Sequence, residues 1–124
     1  MNSKVFLVLR ILFGLFLLFF GLNKFFHFIE MSPMGEEAGN YFGALTSTKT
    51  ITLVAMVEIA AGVSLLFNTF GALLMLILMS VSINAVLFHA TLEPGSIAGS
   101  LILLVFNVVL LFGYKKQYKD LLKG

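Results

Sequence analysis

Val5-Phe6-Leu7-Val8-Leu9-Arg10-Ile11-Leu12-Phe13-Gly14-Leu15-Phe16-Leu17-Leu18-Phe19-Phe20-Gly21-Leu22-Asn23-Lys24-Phe25-Phe26-His27-Phe28 is the stretch on which the fold turns. A run this long and apolar reads as a membrane-crossing helix, because about 20 residues at 1.5 Å rise span a hydrocarbon core of roughly 30 Å. Its polar residues are Arg10, Asn23, Lys24 and His27. Ionisable groups at that depth are costly and face a protein interior or a watery cavity. The rest of the chain must therefore supply their partners.

The composition agrees. Of 124 residues, 60% are hydrophobic and 11% charged, against about 25% charged in a soluble domain. Too few charges remain to cover a water-facing surface, so the lipid bilayer is the expected solvent and partner. The chain has no cysteine, which removes disulfides, thiolate metal sites and dithiol redox chemistry. A net charge of +2 gives no basis for nucleic-acid binding. The first run outlasts the 7–15 apolar residues of a signal peptide and carries Arg10, so it is expected to stay as a helix of the mature protein.

Outward from the first run, the pattern predicts an all-α four-transmembrane-helix bundle forming a single membrane domain over 1–124, with spans near 4–29, 50–67, 70–91 and 97–114. Lys4 precedes the first span, and Lys115, Lys116, Lys119 and Lys123 follow the fourth. Glu30, Glu36, Glu37 and Glu93 lie in the connections on the other side. The excess of basic residues puts both termini in the cytoplasm. Between the first two spans, 35–45 is expected to form a short extracytoplasmic helix or lid, with Met34, Ala38, Tyr41, Phe42 and Leu45 on one side. The plainer alternative is an interfacial loop held by its aromatics.

Arg10, Gly14, Leu17, Gly21 and Lys24 fall at steps of four, three, four and three, one narrow stripe of the first helix. Small residues let a neighbouring backbone approach, so this stripe faces the other helices. In the second span, Glu58 shares a face with Ala55, Ala61 and Gly62. Counting 1.5 Å per residue from the helix ends, Arg10 lies ~9 Å and Glu58 ~14 Å from the cytoplasmic side, which predicts an Arg10–Glu58 ion pair. Lys24 reaches Glu58 only if the helices are offset. The pair is expected to fix register, as buried pairs often do. The same counting yields an inner polar layer of Arg10, Glu58 and Asn107, and an outer cleft of Asn23, Lys24, His27, Asn84 and His89 as candidate ligand-binding residues. Catalytic residues are not identifiable. Haem ligation by His27 and His89 is disfavoured, because each helix offers a single histidine with no thiol or second acid beside it. No metal site is expected, and no nucleophile–base triad, phosphate loop or zinc motif occurs.

The string Phe20-Gly21-Leu22-Asn23-Lys24-Phe25-Phe26-His27-Phe28 resembles the first-helix motif of DoxX-like membrane proteins. Pro33-Met34, Ala38-Gly39 with Phe42 and Ala44-Leu45, Glu58-Ile59 with Gly62, and Asn84 with Leu87-Phe88-His89 and Leu92-Glu93-Pro94 continue the likeness in order. The resemblance implies a four-helix bundle with both termini inside a bacterial plasma membrane. It also implies an association with thiosulfate:quinone oxidoreductase and related complexes, hence a quinone as candidate ligand and other oxidoreductase subunits as partners. Two further functions stay open at this point: a proton-coupled small-molecule transporter working through Glu58, and a non-enzymatic assembly or chaperone partner. A homodimer is open as well, since four short spans enclose little volume.

Overall fold

The computed structural model describes residues 2–26 and 34–121, all of whose regular structure is helical. The helices are α1 (Ser3–Phe26), α2 (Glu36–Ser47), α3 (Thr50–Phe67), α4 (Gly71–Leu92) and α5 (Ile97–Gly113). α1, α3 and α4 are long and apolar enough to cross a bilayer, and α5 is a shorter apolar helix. The four apolar helices and the short helix between the first two are thus as expected from the sequence.

Local chemistry sets the helix ends. Asn2 caps α1, its Oδ1 accepting from Lys4 N at 2.8 Å, the role short polar side chains play before a first turn. α3 ends on Asn68 in the left-handed region (φ 51°), with Thr69 N donating to Ser64 O and Asn68 N to Leu65 O. That pairing satisfies carbonyls which the helix leaves open. Phe70 (φ 58°) turns the chain into α4, whose first residue is Gly71.

α1 packs along α3 in the broadest seam, α4 along α5, and α3 joins the two pairs. Consecutive apolar helices run in opposite directions. The start of α1 therefore meets the end of α5, where Phe6 stands edge-on to Tyr114 at 5.0 Å. At the other end α2 lies across α3 and α4. It buries Ala38 and stacks Tyr41 on Phe88 at 5.4 Å. Gly35 has no side chain with which to cap α2, so Glu93 does so from the α4–α5 connection, accepting from Gly35 N at 2.8 Å.

The core is thin: Phe13, Leu17, Ala61, Leu65, Met75, Leu78, Leu103 and Leu110 fill it. Leu12, Leu15, Leu53, Met56, Leu73, Ile83, Val105 and Phe112 are each more than half exposed. Helices apolar on every side belong in lipid, where no water contests the outer faces.

Candidate functional site

The α1–α3 seam is closed by glycines on both sides. A Cβ on Gly62 would stand 2.8 Å from Gly14 O and from Leu18 Cγ, and one on Gly21 would stand 2.8 Å from Ile59 Cγ1. Backbones this close bury the stripe Arg10, Phe13, Gly14, Leu17 and Gly21 of α1 against Ala55, Glu58, Ala61, Gly62 and Leu65 of α3. The face read from the sequence is the face the structure covers.

Its ion pair, however, is a different one. Lys24 Nζ sits 2.6 Å from Glu58 Oε1, the carboxylate almost fully buried and the lysine side chain one-quarter exposed. The expected Arg10–Glu58 pair does not form. Its error lay in treating the helix ends as level. Gly14 lies over Gly62 and Gly21 beside Ala55, which sets the level of Glu58 near Leu18. Lys24 is then about 9 Å away along the axis and Arg10 about 12 Å. Side-chain direction adds to this. Helical side chains lean towards their own N-terminus, so in antiparallel neighbours Lys24 and Glu58 lean towards each other while Arg10 and Glu58 lean apart.

Arg10 goes instead to the end of α3. Its Nη1 donates to Leu65 O at 2.6 Å, a cation on the carbonyl terminus where the helix dipole is negative. Asn107 likewise leaves the expected inner layer. Fully buried, it donates from Nδ2 to Met75 O at 3.0 Å and accepts from Ser82 Oγ at 2.7 Å. It bolts α5 to α4 and takes no part with Arg10 or Glu58. The single polar layer read from the sequence is three separate polar contacts.

The outer cleft does not assemble as drawn. Asn23 and Lys24 are adjacent and partly buried at the top of α1. His89 is partly buried, its Nδ1 2.8 Å from Ala85 O and its ring edge-on to Phe88. Asn84 is exposed, and its Nδ2 donates to Ser80 O one turn back. His27 lies outside the described residues. Two shallow depressions do mark the surface, but at the opposite end: one of about 280 Å³ is lined by Ser3, Phe6, Phe112, Gly113, Lys115 and Lys116, the other by Lys4, Val5, Val8 and Leu9.

Sequence reasoning missed a polar cluster at that lower end. Tyr114 Oη donates to Asn68 Oδ1 at 2.9 Å, and Tyr118 Oη to Ala72 O at 2.7 Å. The Tyr114 phenol rests on Gly71, whose missing Cβ leaves the space. Burial raises the Tyr114 phenol above its ordinary value and pushes Tyr118 up to about 12, with the neighbouring Tyr114 adding to the latter. A glycine opening α4 just after Asn68-Thr69 was the available signal.

Antiparallel apolar helices with inward charges and an outward apolar surface define a small multi-pass integral membrane protein. The chain belongs to the DoxX family, whose model matches residues 5–90. No curated protein and no solved structure matches it.

Proposed function

We propose that this DoxX protein is an accessory membrane subunit of a quinone-linked oxidoreductase complex and presents Lys24 to the quinone head group. One observation carries the proposal: Lys24 is held by a buried carboxylate yet remains one-quarter open. Glu58 gives the lysine an anionic partner inside the bundle. The open side of Lys24 is free to donate to a carbonyl oxygen. Phe16 and Phe20 climb the outer side of α1 towards Lys24 at steps of four, with ring centroids 4.7 Å apart. That aromatic track suits an isoprenoid tail. Protein purified from native membranes should yield about one extractable quinone per chain by mass spectrometry. Lys24→Met should lose it and Arg10→Met should keep it. Quinone-free wild-type protein would overturn the assignment.

The alternative of proton-coupled transport draws on the same pair, since a ligand cation displacing Lys24 would exchange against a proton on Glu58. Glu58→Gln should then abolish proton-driven uptake into proteoliposomes while the fold persists.

For orientation we infer both termini in the cytoplasm of a bacterial plasma membrane. Lys4, Lys115, Lys116 and Lys119 share one end of the bundle, while Glu36, Glu37 and Glu93 lie at the other. A C-terminal alkaline phosphatase fusion should be inactive, and an active one would reverse the assignment.

A further inference from the structure

α4 presents its core side through Gly71, Met75, Leu78 and Ser82, all buried. Half a turn round, Leu73, Ile77, Ser80, Asn84, Leu87 and Thr91 are all exposed. In a bilayer these six residues face acyl chains. Ser80 and Thr91 satisfy their hydroxyls within the helix, on Ile77 O and Leu87 O. Asn84 does so only in part. One amide N–H reaches Ser80 O at 2.7 Å, and among the described residues its Oδ1 and second N–H have no partner. Asn84 is thirteen residues beyond the start of α4 and eight short of its end, about 20 and 12 Å along the axis. An unsatisfied amide at that depth, pointing away from its own bundle, calls for a second helix.

The spacing says which helix. The six positions fall at steps of four, three, four, three and four, the seam of a left-handed helix pair. Ile77, Asn84 and Thr91 occupy one set of sites; Leu73, Ser80 and Leu87 occupy the other. Branched residues at the first set and leucine at the second favour two parallel strands, and a single asparagine in the first set fixes their register. Ser80, small, lets the backbones close beside it. We propose that the protein is a homodimer joined α4 to α4, with the Asn84 amides of the two copies hydrogen-bonded across a two-fold axis normal to the membrane. A second copy fits because the axis puts identical residues at identical depth, and an amide carries both the donor and the acceptor its twin requires. No charge lies on the seam to select an unlike partner.

The cysteine-free chain makes the test direct. Ile77→Cys and Leu87→Cys, oxidised in native membranes, should give a species of twice the 13.6 kDa chain, while Val105→Cys on the lipid face of α5 should not. Adding Asn84→Leu to Ile77→Cys should weaken dimerisation roughly tenfold, and Asn84→Gln should retain it. Asn84 is exposed and its hydrogen bond stays within α4, so thermal unfolding of the monomer should stay unchanged; should Asn84→Leu nevertheless fail to accumulate, Ile77→Cys alone decides. Equal cross-linking from Val105→Cys, indifference to Asn84→Leu, or a product of any other mass would overturn the homodimer.

Discussion

At the level of single residues, Gly62 and Lys24 set the terms for the α1–α3 seam. A methyl on Gly62 has nowhere to go, because one of its neighbours is backbone (Gly14 O at 2.8 Å). Gly62→Ala should therefore cost about 1–3 kcal/mol, the usual range for overpacking, read from thermal unfolding in detergent. The ion pair is tested by a double-mutant cycle. Lys24→Met strands a buried carboxylate and should destabilise by roughly 2 kcal/mol, below the 3–5 of a fully buried pair because Lys24 is partly open. Combining it with Glu58→Gln should recover part of that loss. Arg10→Met should cost stability through the end of α3 and add independently to Glu58→Gln. Non-additivity between Arg10 and Glu58 would contradict the geometry.

At the level of elements, α2 is the least anchored helix, tied mainly by Glu93 and by Tyr41 on Phe88. Glu93→Ala removes its cap and should cost about 1 kcal/mol. The loss should appear as faster hydrogen exchange over the first turn of α2, with the exchange of α3 and α4 unaltered. Elements were also what the sequence revealed best. Apolar runs located the four apolar helices, and the Gly14–Gly21 and Ala61–Gly62 faces were correctly turned inward, since small residues in lipid have few other uses. Partners were not legible. The choice between Arg10 and Lys24 depended on an axial offset of a few residues between α1 and α3, which hydropathy does not encode. Asn84 is likewise polar whether it faces inward or outward. In an all-apolar helix periodicity cannot distinguish the two, and only the Met75–Leu78–Ser82 packing against α5 fixes the rotation.

Across the whole molecule, the end where α1 starts and α5 finishes holds two buried phenols whose protons are linked to folding in alkali. Tyr118 keeps its proton to about pH 12 in the folded protein against 10.0 as the ordinary value. Between those limits the unfolded chain binds fewer protons, so folding loses free energy as pH rises from 10 towards 12 and is unaffected below 10. The unfolding midpoint should drop across that window. Tyr118→Phe should flatten the drop in part, the remainder belonging to Tyr114.

The neutralised α1–α3 seam has a consequence for biogenesis. A lone Glu58 would resist partitioning from the translocation machinery into the bilayer, and its counter-charge has already been synthesised by the time α3 emerges from the ribosome. A nascent chain released after Thr69 should hold both α1 and α3 in the bilayer, so that a reporter fused after Thr69 lies on the same side as the start of α1. In the same fragment bearing Lys24→Met, α3 should fail to cross and the reporter should lie on the opposite side.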